Sequence, residues 1–225
     1  MKYVVFFAVV LSIGCGKPEQ PAPSSAAPVS PQAPQAPNEP QAPRVVFLGD
    51  SLTAGLGLAV DQSFPSLIGK KLKARGLEYE VVNAGVSGDT SAGGLRRLDW
   101  SLDGDVRVLI VALGGNDALR GLPPSEMKRN LAAILNRARD RKIAVILAGM
   151  EAPPNNGADY TREFRSVYTD LASEYKVPLI PFLLQGVAGD ASLNQADGIH
   201  PNVRGAEIVA DLVWKELEPV LRRPS

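Results

Sequence analysis

Residues 45–51 read Val45-Val46-Phe47-Leu48-Gly49-Asp50-Ser51, an apolar run that stops abruptly at Gly-Asp-Ser. A short apolar run with β-branched residues, bounded by a glycine, predicts a buried strand. The serine then falls just after a strand end, which is where open α/β sheets bind their ligands. Ser51 is therefore a candidate nucleophile, which would need a base, an orienting acid and oxyanion donors from the rest of the chain.

Strand-like and helix-like segments alternate from residue 44 to residue 222. The strand-like segments are residues 45–48, 79–82, 107–113, 144–147 and 177–182. The last contains two prolines and is expected at an edge of the sheet. This alternation predicts an α/β fold, in which helices cover both faces of a five-stranded parallel sheet in three layers. We expect one domain at 44–222 and a short tail at 223–225.

The composition excludes several classes of function. The 225 residues carry 24 basic and 24 acidic side chains, so the net charge is zero and nucleic-acid binding is not expected. Cys15 is the only cysteine and lies outside the predicted domain, which excludes intrachain disulfides and cysteine-ligated metal sites. His200 is the only histidine, so a histidine base would have to be this residue.

Two segments precede the predicted domain. Residues 1–15 contain one lysine, an apolar core and a small residue before Cys15, which is typical of an export signal and too short for a spanning helix. Residues 11–15, Leu-Ser-Ile-Gly-Cys, resemble a bacterial lipobox and predict lipidation of Cys15; an ordinary secretory signal or a membrane anchor is the alternative. Residues 16–43 are rich in proline, alanine and glutamine and predict a disordered linker.

Glycine and polar residues follow three of the predicted strands. They are Gly-Asp-Ser at 49–51, Asn-Ala-Gly-Val-Ser-Gly-Asp at 83–89 and Gly-Gly-Asn-Asp at 114–117. A fourth polar segment, Asp-Gly-Ile-His-Pro at 197–201, comes just before the last predicted helix. Because the carboxyl ends of parallel strands lie side by side, these segments are expected to meet at one edge of the sheet.

Together these segments contain the groups that ester hydrolysis requires. His200 would take the proton of Ser51 and return it to the leaving group. Asp197, three residues earlier, is close enough to bond the other ring nitrogen and fix the tautomer. The backbone N–H groups of Ser51 and Gly88 and the side-chain amide of Asn116 are candidate oxyanion donors.

Each of these residues, taken alone, has a simpler explanation. Ser51 fits a helix cap, Gly88 and Asn116 fit turns, and a histidine before proline is usually structural. Competing motifs fit less well. A dinucleotide-binding loop lacks its third glycine, the Gly-x-Ser-x-Gly elbow has Thr53 in place of the second glycine, and no phosphate-binding loop is present.

The four segments in this order resemble the SGNH (GDSL) hydrolase family over residues 44–222. Residues 87–91 and 113–121 are similar to signatures of its bacterial thioesterase I, lysophospholipase L1 and arylesterase group, and residues 152–157 resemble that group's mobile substrate-site loop. The resemblance implies a flavodoxin-like sheet order 2-1-3-4-5, a Ser-His-Asp esterase without cofactor or metal, and an oxyanion hole at Ser51, Gly88 and Asn116. Candidate substrate contacts are Asp50, Leu119, Pro154 and Asn155.

These observations predict an exported, monomeric serine esterase, tethered in the bacterial periplasm or outer membrane through Cys15. Lysophospholipids and small acyl or aryl esters are the expected substrates, because an exported enzyme would not meet acyl-CoA. A carbohydrate O-acetylesterase of the same family and a non-catalytic tethered binding module are the alternatives. Apolar residues near the site could line an acyl groove or belong to the core: Leu56, Leu58, Leu119, Leu122 and Phe182.

Overall fold

The computed structural model describes residues 42–222, and its sheet has five parallel strands in the order β2-β1-β3-β4-β5. The strands are β1 (Arg44–Gly49), β2 (Glu80–Gly85), β3 (Val106–Ala112), β4 (Ala144–Ala148) and β5 (Leu179–Ile180). The helices are α1 (Ser51–Ala54), α2 (Phe64–Ala74), α3 (Ser91–Arg96), α4 (Leu98–Ser101), α5 (Gly115–Leu119), α6 (Pro124–Asp140), α7 (Ala158–Tyr175) and α8 (Val203–Leu221). Single 3₁₀ turns occupy Val60–Gln62 and Pro154–Asn156. The predicted signal segment, most of the predicted linker and the tail lie outside the described residues.

Alternate residues of β1 face two separate cores, one on each side of the sheet. Val46 and Leu48 are fully buried with apolar residues of α6 and α7. Val45 and Phe47 are fully buried on the other side with residues of α2 and α8. A strand that is buried on both faces has no polar side chains to alternate with apolar ones, which is why its sequence is a continuous apolar run. The predicted three-layer α/β fold is confirmed.

The strand ends that precede the polar segments lie next to one another. Gly49, at the end of β1, is in register with Gly85 of β2 on one side and with Ala112 of β3 on the other. The segments after these three strands therefore emerge at the same edge of the sheet, as expected for parallel strands. The sheet order implied by the family resemblance is also confirmed.

The structure differs from the sequence prediction mainly in its short elements. The predicted fifth strand covered six residues, but β5 has only two, because Pro178 and Pro181 flank it and have no N–H to donate to a neighbouring strand. It is nevertheless the edge strand, as predicted. Across residues 42–222, no helix combines the length and the apolar character needed to span a bilayer.

Candidate active site

Ser51 is the first residue of α1, directly after the turn that ends β1. The Asp50 carboxylate caps this helix by accepting a hydrogen bond of 3.0 Å from the Leu52 N–H. Gly55 ends the helix after one turn by adopting a φ of +75°, which is accessible to glycine at little cost. Ser51 is thus held at the sheet edge by a cap on one side and a glycine stop on the other.

His200 lies between Ser51 and Asp197. Its Nε2 is 2.8 Å from the Ser51 Oγ, and its Nδ1 is 2.7 Å from Asp197 Oδ2. The other carboxylate oxygen of Asp197 accepts from the backbone N–H groups of Ile199 (2.9 Å) and His200 (3.0 Å). These hydrogen bonds lower the pKa of Asp197 from 3.8 to about 2, and the bond from the His200 backbone N–H has the largest effect. Asp197 is therefore ionised at neutral pH. Since an ionised carboxylate only accepts, Nδ1 carries the hydrogen and Nε2 is free to accept from the serine.

The segment that carries Asp197 and His200 is a closed loop rather than an open tail. Asn194 and Pro201 form an antiparallel bridge, and the Gln195 N–H donates to the His200 carbonyl at 2.7 Å. The Gln195 side chain also donates to the carbonyls of Leu56 and Pro201, at 2.7 and 3.0 Å. Gln195 therefore ties the loop to the chain that follows α1, and so holds His200 close to Ser51.

Asn116 and Gly88 belong to the two polar segments that follow β3 and β2, and Asn116 contacts residues adjacent to both Ser51 and Gly88. Gly88 has a φ of +83°, and the N–H groups of Ser51 and Gly88 have no acceptor within residues 42–222. The Asn116 Nδ2 donates to the Asp89 carbonyl at 2.9 Å and has a longer contact of 3.3 Å with Asp50 Oδ2. The Asn116 side chain thus bonds the residue before Ser51 and the residue after Gly88, and the role of these three groups as oxyanion donors stays a prediction.

The turn before Asn116 depends on glycine and on a buried carboxylate. Gly114 has a φ of +120°, and a Cβ at this position would lie 2.1 Å from the hydroxyl oxygen of Tyr168. That hydroxyl donates to the Leu113 carbonyl at 2.9 Å. On the other side, the buried Asp117 carboxylate accepts from the backbone and hydroxyl of Ser91, at 2.8 and 2.6 Å. These contacts fix α5 against both α7 and α3.

The sequence profile of the GDSL-like lipase/acylhydrolase family matches residues 47–208. The chain is 43% identical over 178 residues to "Esterase TesA" of Pseudomonas aeruginosa, covering 79% of this chain and 89% of the relative. It is 37% identical over 182 residues to "Thioesterase 1/protease 1/lysophospholipase L1" of Escherichia coli, covering 80% and 86%. The crystal structure of the psychrotrophic esterase EstA from Pseudoalteromonas sp., inhibited by monoethylphosphonate, matches with a TM-score of 0.76 at 31% identity, over 80% of this chain and 99% of that one.

The chain belongs to the GDSL-like lipase/acylhydrolase family. The resemblance stated from the four sequence segments is therefore confirmed, and so is the prediction of a carboxylic ester hydrolase. The roles of individual residues in this GDSL-like hydrolase rest on the geometry described above.

Asp50 of the GDSL-like hydrolase, which directly precedes Ser51, is buried, with 3% of its surface exposed. One carboxylate oxygen accepts from the Leu52 N–H and the other contacts the Asn116 amide. Burial raises the pKa of the Asp50 carboxyl from 3.8 to about 6, against the opposing effect of the Leu52 hydrogen bond. Its carboxylate oxygens are turned towards these internal donors, so its predicted role as a substrate contact stays a prediction.

The other predicted substrate contacts lie on exposed segments near Asn116. Leu119 ends α5 and is 58% exposed, and both Pro154 and Asn155 are exposed on the second 3₁₀ turn. The Asn156 side chain donates to the Ala118 carbonyl at 2.8 Å, so this turn is fastened to α5. Pro154 also borders a shallow groove along α7. Their contact with substrate remains a prediction.

A narrow cleft lies beside Ser51 and His200. It lies between the chain after α1 and the start of α8, and most of its wall is apolar. The apolar side chains that line it include Leu56, Leu58, Phe64, Leu184 and Val209. Leu56 and Leu58 thus face the site, as one of the two sequence interpretations expected. Within residues 42–222, no group of three His, Cys, Asp or Glu side chains could hold a metal ion.

Sequence reasoning missed one ion pair next to the site, between Arg97 and Asp89. Its Nε–Oδ2 distance is 2.6 Å, and both side chains are more than four-fifths buried. Nothing in the local sequence distinguishes Arg97 from its neighbour Arg96, which is exposed. The only available signal is that Asp89 directly follows Gly88, in a segment already assigned to the site.

Proposed function

We propose that the chain is a serine ester hydrolase that forms an acyl-enzyme on Ser51. The observation that carries this proposal is the continuous hydrogen-bonded series from the Ser51 hydroxyl through the His200 ring to the Asp197 carboxylate, at 2.8 and 2.7 Å. Distances in this range allow direct proton transfer between the serine and the imidazole. The nearby unpaired N–H groups of Ser51 and Gly88 supply the second requirement, a place for the oxyanion.

In the first half of the reaction, Ser51 Oγ attacks the ester carbonyl carbon while its proton passes to His200 Nε2. Asp197 stabilises the imidazolium that forms, and remains ionised. The negative charge moves to the former carbonyl oxygen. The tetrahedral intermediate then collapses, the bond to the leaving oxygen breaks, and His200 returns its proton to that oxygen. An alcohol leaves, and the acyl group stays on Ser51.

The oxyanion is stabilised by N–H groups from three segments. The N–H groups of Ser51 and Gly88 are free to donate, and the Asn116 amide adds a third donor. One amide hydrogen of Asn116 is held by the Asp89 carbonyl, while the other has only the longer contact with Asp50, so the oxyanion competes for it easily. Loss of one such donor costs about 3–4 kcal/mol of transition-state stabilisation.

In the second half, a water molecule replaces the alcohol beside His200. The imidazole takes a proton from the water as its oxygen attacks the acyl carbon, and then gives that proton to Ser51 Oγ as the acyl bond breaks. The products are a carboxylic acid and free enzyme. Because His200 must be neutral to accept a proton in each half, kcat/KM falls as the pH is lowered from 8 to 5.

For the substrate, we propose lysophospholipids or small acyl or aryl esters. The apolar cleft beside Ser51 and His200 supports an apolar group next to the ester, and the names of the relatives from Pseudomonas aeruginosa and Escherichia coli include esterase and lysophospholipase. Hydrolysis of p-nitrophenyl acetate, butyrate and octanoate, measured beside lysophosphatidylcholine, tests this proposal. A strict preference for acetate would favour the carbohydrate O-acetylesterase instead.

Replacement of the nucleophile tests the mechanism. Ser51→Ala is expected to lower kcat for p-nitrophenyl butyrate by about 10³-fold or more, because no acyl-enzyme can form. Ser166→Ala, a serine on the surface of α7, is the matched control and should keep wild-type activity. Unchanged activity in Ser51→Ala would exclude the mechanism, and a non-catalytic binding module would then be the better explanation.

We also propose that residues 1–15 are an export signal, that Cys15 is lipidated and that the enzyme acts as a monomer tethered in the cell envelope. The lipobox-like sequence supports the anchor. The fact that one chain supplies all the proposed catalytic groups supports the monomer. Cys15→Ala should move the protein from membrane to soluble fractions, and light scattering of the soluble form should give the mass of one chain. A wild-type protein that is already soluble would contradict the anchor.

A further inference from the structure

The Arg97 guanidinium lies beneath the carboxyl ends of two neighbouring strands. Its Nη2 donates to the Gly49 carbonyl at 2.8 Å, and its Nη1 donates to the Ala84 carbonyl at 2.7 Å. Its Nε donates to Asp89 Oδ2 at 2.6 Å. Arg97 therefore joins the residue before Asp50 and Ser51, the end of β2 and the loop after β2.

Asp89 connects this arginine to two of the proposed oxyanion donors. It directly follows Gly88, and its own carbonyl accepts the Asn116 amide at 2.9 Å. The carboxylate packs closely against Gly93, where an added Cβ would lie 2.4 Å from Asp89 Oδ1. The position of the Asp89 backbone thus sets both the Gly88 N–H and the orientation of the Asn116 side chain.

We propose that Arg97 is a positioning residue for the oxyanion hole, acting through Asp89. This inference rests on the proposed function and extends it to a residue that does not touch the substrate. Oxyanion donors stabilise the transition state only when they are held close to the position that the oxygen will occupy. A guanidinium suits this task, because its planar fork bonds a carboxylate and two carbonyls at once, whereas a lysine ammonium is a point charge on a flexible stem.

The same two strands carry a matched ion pair at their opposite ends. Arg44 Nε is 2.7 Å from Glu80 Oε2, and Arg44 Nη1 donates to the Asp103 carbonyl at 2.9 Å. This arginine also joins β1, β2 and a loop, but none of its partners is a proposed site residue. Arg44→Met is therefore a control for the loss of an arginine that only stabilises the fold.

The experiment compares Arg97→Met, Arg97→Lys and Arg44→Met in the full chain, with p-nitrophenyl butyrate as the substrate. Arg97→Met is expected to lower kcat by about 10²-fold with KM changed by less than about threefold, because the lost contact matters mainly in the transition state. Arg97→Lys should recover part of the activity by keeping one charged contact. Arg44→Met should leave kcat within about twofold, even if its urea midpoint falls as much as that of Arg97→Met.

A double mutant separates positioning from simple stabilisation. In an Asn116→Ala background, Arg97→Met should lower kcat by no more than about tenfold, because one of the two donors that it positions is already absent and only the effect on Gly88 remains. A full 10²-fold loss in that background, or an equal kcat loss in Arg44→Met, would overturn the inference. If Arg97→Met does not fold, wild-type kcat in Arg97→Lys overturns it instead.

A further control separates this inference from the proposed function. If Ser51→Ala is inactive while Arg97→Met has wild-type kcat, only the role of Arg97 fails. If Ser51→Ala keeps its activity, the proposed function fails first.

Discussion

Asp50 is expected to make the folded protein less stable as the pH rises. The pKa of its carboxyl is raised by burial from 3.8 to about 6, which means that the folded state holds this proton more tightly than the unfolded chain. The contribution of the Asp50 carboxyl to the free energy of unfolding is therefore fully favourable below pH 3.8 and is lost as the pH rises through 6. The perturbation that tests this is Asp50→Asn, which removes the titration but keeps one oxygen to accept from the Leu52 N–H.

The size of the effect follows from the shift. About two pKa units correspond to about 3 kcal/mol between the fully protonated and fully ionised states. Between pH 4.5 and 8, about 2 kcal/mol of that change takes place, because the unfolded carboxyl is already mostly ionised at pH 4.5. The free energy of unfolding of Asp50→Asn, relative to wild type, should therefore rise by about 2 kcal/mol over this range.

Urea unfolding at pH 4.5 and pH 8 measures the difference. Asp61→Asn is the matched control, since Asp61 forms an exposed ion pair with Lys70 and its replacement should change stability by less than about 1 kcal/mol at either pH. If the gap between Asp50→Asn and wild type is the same at both pH values, the buried carboxyl titrates as it does in the unfolded chain and the reasoning is refuted.

The same substitution should also cost activity. The two carboxylate oxygens of Asp50 face two donors, the Leu52 N–H and the Asn116 amide. An amide has one acceptor oxygen, so its nitrogen would be turned towards one of these donors. We expect kcat to fall by about tenfold or more at pH 8, where the protein gains stability. Asp50 would then be a residue at which stability is given up for function.

Two further predictions concern the base and the nucleophile turn. Asp197→Asn should lower kcat/KM for p-nitrophenyl butyrate by about 10³–10⁴-fold, because an amide in this position favours the wrong tautomer of His200; a loss below tenfold would contradict the assigned role. Gly49→Ala should lower the free energy of unfolding by more than about 2 kcal/mol in urea titration, since its Cβ would lie 2.0 Å from Thr53 Oγ1. Gly69→Ala, whose Cβ would meet nothing closer than 3.5 Å, should be neutral or stabilising, and an equal loss there would refute the steric argument.

The long elements could be predicted from the sequence because their patterns reflect burial directly. The continuous apolar run of β1 follows from burial of the strand on both faces. The helical spacing of apolar residues in α6 and α8 follows from burial of each helix on one face. The sheet order came only from the family resemblance, because periodicity gives no information about which strands are neighbours. The one-turn helices α1 and α4 are too short for a periodic pattern. The Asp50 cap holds α1, whereas α4 has no side-chain cap and is held by tertiary contacts of its buried residues Leu98 and Ser101.

The candidate site likewise contains residues that the sequence could predict and residues that it could not. Ser51, Asp197 and His200 could be proposed from residue type and order, since the chemistry demands those types. The environment of Asp50 and the role of Arg97 could not, because both depend on which carbonyls and carboxylates the packed strands bring near them. Arg96 and Arg97 are adjacent and identical in type, yet one faces solvent and the other lies against two strand ends.

The single histidine of this chain makes the base of the proposed reaction directly visible to spectroscopy. In a proton NMR spectrum, the imidazole C–H signals come from His200 alone, so its titration can be followed without resonance assignment or isotope labelling at specific sites. Its Nδ1 hydrogen, held at 2.7 Å from Asp197, should resonate far downfield of the amide region. The loss of this signal in Asp197→Asn and its retention in Ser51→Ala would report each half of the hydrogen-bonded series separately.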